Sequence, residues 1–172
     1  MFKIMTPVFA VLLALTAAGL FLLFAKINPF MAYFEILKEA LGSFYGISET
    51  VVKTTPLIIC GLGISVAFRM QLWNIGAEGQ FILGGVAASG VALFSGIENY
   101  WLMLSAMFAA AFFAGGLWAS FAGFLKSKYR VNEIIVTLLM NYVAISILSY
   151  LIYGAWKDPS GFNFPHSAQF TD

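Results

Sequence analysis

Phe68-Arg69-Met70-Gln71-Leu72-Trp73-Asn74-Ile75-Gly76-Ala77-Glu78-Gly79-Gln80 is a polar, glycine-containing break between two strongly apolar segments. A charged group at the middle of a membrane helix costs about 2.5–3.5 kcal/mol on insertion scales. The guanidinium, carboxylate and amides gathered here therefore belong at a membrane end, in a broken helix or along a water-filled path. The rest of the 172-residue chain reads as membrane helix. It is 61% hydrophobic and 10% charged, whereas soluble domains are roughly 45–50% apolar and about 25% charged. Such an excess cannot be hidden inside a globule of this size. The expected fold class is all-α, a polytopic transmembrane helix bundle.

Outward from the break, a second span covers about 51–68 and a third about 79–97. Pro56 lies in the first turns of the second span, where a missing N–H is tolerated. A fourth span covers about 101–125, with Tyr100 and Trp101 as interface anchors, and a fifth about 134–153. The first span, about 4–25, runs between Lys3 and Lys26. It is longer than the apolar region of a signal peptide, about 7–15 residues, and is read as a retained helix. Asn28-Pro29 ends it. Between 30 and 48, Phe30, Tyr33, Phe34, Leu37 and Leu41 recur at three- and four-residue spacing among Glu35, Lys38 and Glu39. That pattern predicts one interfacial amphipathic helix, followed by a turn at Gly42, Ser43 and Gly46. Five spans fix sidedness by parity. Placing Lys126, Lys128 and Arg130 in the cytoplasm follows the positive-inside rule. The N-terminus is then cytoplasmic, and the amphipathic segment and the polar tail from Trp156 lie outside.

Several function classes find no support. A net charge of +1 gives no argument for nucleic acid. Cys60 is the single cysteine and His166 the single histidine, far apart in sequence, so neither a metal set nor a catalytic set can be assembled. No glycine-rich phosphate loop with its lysine is present, and no cofactor site is legible. Cys60, inside an apolar run, reads as a buried inert thiol.

Three constellations stand out. The fourth span carries Ala111, Gly115, Ala119 and Gly123 at four-residue spacing, a small-residue stripe that lets another helix backbone approach. Glu133, Thr137, Asn141 and Ser149 share one face of the fifth span, suited to interhelical hydrogen bonds or to lining a solute path. In the break, Asn74 is placed to cap the third span, with Glu78 in its first turns and the glycines easing a sharp return. The same groups are equally suited to present N–H donors and a carboxylate to a polar solute. The two readings are compatible.

Thr55-Pro56-Leu57-Ile58, Gly61-Leu62, Ala67-Phe68-Arg69 and Leu72 through Gln80 closely resemble the inner-membrane permease subunits of bacterial ABC importers for nucleosides and simple sugars. Val131 through Thr137 continuing to Met140-Asn141-Tyr142, Lys157-Asp158-Pro159 and Phe162 to Pro165 agree with the same family. The resemblance covers nearly the whole chain from about Tyr33 onward. Family permeases are considerably longer, so residues 1–172 are expected to form a single transmembrane domain that is the N-terminal half of such a protein. The resemblance implies ATP-binding cassette subunits, a second permease subunit and an extracytoplasmic solute-binding protein or lipoprotein as partners, with membrane lipid around them. It implies ATP-driven alternating access in the plasma membrane, with hydrolysis in the partner subunits. Nucleosides are the leading cargo, ribose or another simple sugar the alternative. A non-transporting membrane scaffold is the rival of a different class. Asn74, Glu78, Gln80, Glu133 and Asn141 are the candidate groups around a solute path.

Overall fold

The computed structural model describes residues 2–162 and 164–170, with the backbone alone for residues 2–4. The side chain of Lys3, which bounds the first span above, and the last two residues of the tail lie outside the described residues. Among the described residues there are six α-helices and no strand: α1 (Phe2–Phe24), α2 (Pro29–Leu41), α3 (Phe44–Arg69), α4 (Ala77–Phe94), α5 (Tyr100–Tyr129) and α6 (Glu133–Tyr150), followed by a π-helical turn (Leu151–Ala155). Five helical segments, those of α1, α3, α4, α5 and α6 with its π turn, are long and apolar enough to cross a membrane. The expected all-α, five-span architecture is therefore observed, and this is a multi-pass membrane protein.

The chain packs as two units, Met1–Leu57 and Ile58–Asp172. In the first, α1 ends where Lys26 turns left-handed (φ 60°) and the N–H of Ile27 reaches back to the carbonyl of Leu22. This is a Schellman closure made without glycine. Asn28 then caps α2 through its side-chain oxygen, with Pro29 at the first helical position. Tyr33 on α2 donates its hydroxyl to the Leu15 carbonyl of α1 at 2.6 Å.

The largest boundary difference from the sequence reading is the start of the second span, expected near 51; α4 also ends at Phe94 rather than about 97, and α5 runs to Tyr129 rather than about 125. Gly46 does not belong to a turn; α3 already begins at Phe44. Ser43 caps it, its hydroxyl accepting from the Gly46 N–H at 3.0 Å. A side chain at Gly46 would collide with the Glu39 carbonyl, so this glycine serves close approach. The helix is thus about 39 Å long at 1.5 Å per residue, longer than the roughly 30 Å hydrocarbon core.

In the second unit, α6 is the most buried element. Thr137, Met140, Asn141 and Ala144 are its buried residues, at the 0, 3, 4, 7 spacing of one helical face. α4 packs on α5 through small residues. A Cβ at Gly84 would stand 3.2 Å from the Ala111 carbonyl, and one at Gly115 would stand 3.1 Å from the Gln80 carbonyl. After the π turn, Trp156 lies against Gly90 of α4 and stacks edge-on with Phe94 at 5.5 Å. An antiparallel bridge between Lys157 and Ser167 closes the tail loop.

Candidate functional site

The break runs from Met70 to Gly76. Gln71 stops α3 by turning left-handed (φ 56°), and the N–H groups of Gln71 and Leu72 then satisfy the carbonyls of Phe68 and Ala67, both at 3.0 Å. It is the same closure as at Lys26. The turning residue is therefore Gln71, and the glycines of the motif do something else.

Their role is visible at the start of α4. The N-cap of this helix is Gly76, which has no side chain to offer its exposed N–H groups. The missing cap comes from α6. Asn141 Oδ1 accepts the Gly79 N–H at 2.9 Å, and Asn141 Nδ2 donates to the Ile75 carbonyl at 2.9 Å. Thr137 Oγ1 accepts the Ile75 N–H at 3.2 Å and donates to the Glu133 carbonyl at 2.7 Å. Thr137 and Asn141 are 4% and 6% exposed, deep enough that these bonds replace water. A Cβ on Gly79 would stand 2.8 Å from Asn141 Oδ1, and one on Gly76 would stand 3.0 Å from Thr137 Cβ. Gly76 itself has φ −85°. The two glycines let α6 approach; they do not ease the return. Asn74 is likewise not the N-cap. Its Oδ1 accepts the Gly76 N–H at 2.8 Å, and its amide pairs reciprocally with that of Gln80 at 3.2 and 3.3 Å.

Beside this junction lies a cavity of about 150 Å³. Trp73, Asn74 and Gln80 line it from the break and α4, Ala119, Ala122, Gly123 and Lys126 from α5, and Glu133 and Thr137 from α6. Glu133 pairs with Lys126 Nζ at 2.6 Å, the two side chains being 20% and 34% exposed. Of the five path candidates, the structure thus gathers Asn74, Gln80 and Glu133 around one space. Asn141 stands behind it, occupied with the α4 cap. Glu78 is exposed, does not line the cavity, and makes no hydrogen bond or ion pair with a described residue. The stripe on α5 divides its work: Ala111 and Gly115 meet α4, while Ala119 and Gly123 line the cavity.

Two residues were missed from sequence. Lys126 was read only as part of a basic cluster, although it is spent on Glu133. Trp118 was not singled out. Its indole nitrogen is buried without a hydrogen-bond partner and lies 3.2 Å from where a Gly79 Cβ would be. Its position three residues after Gly115 was the available signal. Cys60 is partly exposed in a neighbouring cleft rather than buried. In the tail, Asp158 Oδ1 accepts the N–H and hydroxyl of Ser160 at 2.8 and 2.7 Å. Those bonds, with His166 nearby, hold the Asp158 carboxyl below the usual aspartate range. Among the described residues no group of three or more His, Cys, Asp or Glu is placed to hold a metal ion.

Residues 46–172 match the family described as branched-chain amino acid transport system / permease component. The chain belongs to that permease family. A glucose ABC transporter permease protein of Haloferax volcanii is 41% identical over 167 residues, 97% of this permease chain and 43% of the relative. A guanosine ABC transporter permease protein of Bacillus subtilis is 37% identical over 156 residues, covering 90% and 44%. A nucleoside ABC transporter permease protein of Lactococcus lactis is 27% identical over 156 residues, covering 90% and 43%. The permease chain thus spans less than half the length of these relatives. No solved structure shows a significant match to it.

Proposed function

We propose that this chain is the N-terminal half of a single transmembrane permease domain in an ABC importer, and that the importer carries nucleosides. The observation that carries the reading is the family match over residues 46–172, together with the guanosine and nucleoside permeases among the relatives. In this reading the N-terminus and the Lys126–Arg130 segment face the cytoplasm. The partners are two ATP-binding subunits, a second permease subunit and an extracytoplasmic solute-binding protein, and ATP hydrolysis takes place in the ATP-binding partners.

The cavity chemistry supports a neutral cargo rich in donors and acceptors. It has small apolar walls, one indole, two primary amides and the Lys126–Glu133 pair, whose charges offset each other, a combination suited to a base or a sugar ring. Asn74, Gln80 and Glu133 would line the path, Asn141 would keep its wall in register, and Glu78 would meet solute or a partner from its exposed position. The glucose permease at 41% identity favours a second reading, the same machine carrying a hexose or another simple sugar.

The test is reconstitution of the native-length permease with its ATPase and binding protein in liposomes. ATP turnover stimulated by nucleoside-loaded binding protein supports the proposal. Stimulation by the glucose-loaded form alone transfers the cargo to sugar. Turnover indifferent to both contradicts both cargo assignments and leaves another solute or a membrane scaffold.

A further inference from the structure

The cavity beside the break shares walls with two neighbours. One is a groove of about 370 Å³ along the α5–α6 connection, bounded also by Arg130 and Asn132; the side chains common to it and the cavity are Lys126 and Glu133. The other is a cleft of about 270 Å³ on the α3 side, bounded also by Cys60 and Phe81; the side chains common to it and the cavity are Asn74 and Gln80. Each shared wall is therefore a pair of polar side chains bonded to each other. The ion pair closes at 2.6 Å and the amide pair at 3.2 and 3.3 Å.

We infer that the cavity is a one-ring solute chamber closed toward the basic α5–α6 connection by the Lys126–Glu133 ion pair. The inference rests on the permease reading and assigns a barrier within its path. Size limits what the chamber holds. An apolar cavity of about 150 Å³ accommodates a benzene ring. At the same volume, this chamber is of single-ring size, and a whole nucleoside extends beyond it unless a wall moves. The walls able to move are the side-chain pairs, because the small residues Ala119 and Ala122 are fixed on α5. Both pairs separate by rotation about side-chain bonds, with the backbone of α4, α5 and α6 in place. The two side chains are 34% and 20% exposed, so the closed pair is partly dehydrated and each partner regains hydration on opening into the groove.

The chamber wall offers a reporter. Ala122 lines the chamber and is 5% exposed. Ala122→Cys is introduced into the native-length permease, its other cysteines replaced, and assembled with its partners in membrane vesicles. A membrane-impermeant maleimide is then applied to each face separately. With Lys126 and Glu133 intact, the new thiol should react slowly from both faces. Lys126→Ala and Glu133→Gln should each speed the reaction about tenfold from the face bearing the basic connection. The exchange Lys126→Glu with Glu133→Lys should restore protection, which a merely misfolded protein would not show. Equal reaction rates in all four backgrounds, or an exchanged pair as reactive as the single variants, would overturn the barrier. Guanosine and glucose uptake by the unaltered transporter is measured alongside. If it carries neither, the proposed cargo fails; if it carries one and the thiol is indifferent to the pair, only the barrier fails.

Discussion

Asn141 does at residue scale what a local cap does in most helices, from 62 positions away in sequence. Its replacement by Ala leaves the buried Gly79 N–H and the part-buried Ile75 carbonyl without these partners, a loss of about 1–3 kcal/mol. Thermal unfolding of the purified native-length permease should show a clearly lowered midpoint. Gly79→Ala should destabilise as well, because its Cβ would press on Asn141 Oδ1. Both substitutions act on one contact, so the double variant should lose less than the sum of the two. Strictly additive losses would show that the contact does not couple α4 to α6. Part of this was legible. Glu133, Thr137 and Asn141 lie on one helical face, and that spacing marked the interior side of α6. Their target was not legible. Which backbone groups need a cap depends on where α4 starts, and a glycine N-cap carries no side-chain signal. For the same reason the turn was assigned to glycines, when a left-handed glutamine makes it.

At the scale of elements, helix ends decide the architecture. The five spans were readable because each is an apolar run of sufficient length bounded by charge or by a turn signal. The start of α3 was not, because Gly46 reads as a turn residue by composition while Ser43 and the nearby Glu39 carbonyl make it a packing residue. Gly46→Val should therefore disrupt the α2–α3 junction, whereas Ser43→Ala should cost only about 1 kcal/mol through the lost cap. Thermal unfolding separates the two, and equal effects would contradict the packing role. The tail loop gives a pH prediction. Asp158 has a folded pKa below its ordinary value of 3.8. It therefore adds stability above that value, and the contribution disappears as pH falls through the lowered one. Hydrogen exchange at Ser160, corrected for intrinsic rate, should stay protected down to the aspartate range and lose protection below it. Ser160→Ala should move that loss to higher pH. Protection that ignores pH in both proteins would contradict the assignment.

For the whole molecule, the permease family and five helices long and apolar enough to cross a membrane are shown, while sidedness and cargo belong to the proposal. The Asn74-to-Gln80 string pointed to the permease family by resemblance, and in the structure it forms the junction of the break and α4 with α6. Cargo leaves a fainter mark. Glucose and guanosine permeases lie at 41% and 37% identity, and a cavity with one indole and two amides suits either kind of ring. The measurement that bears most directly on the proposed function is uptake of labelled guanosine and glucose, each competed by the other. The cells lack their own systems and express the native-length permease with its ATPase and binding protein. Saturable, ATP-dependent guanosine uptake that glucose does not compete is the predicted result. Glucose uptake without guanosine uptake would contradict the nucleoside assignment, and uptake of neither would contradict the proposed transport of both cargo classes.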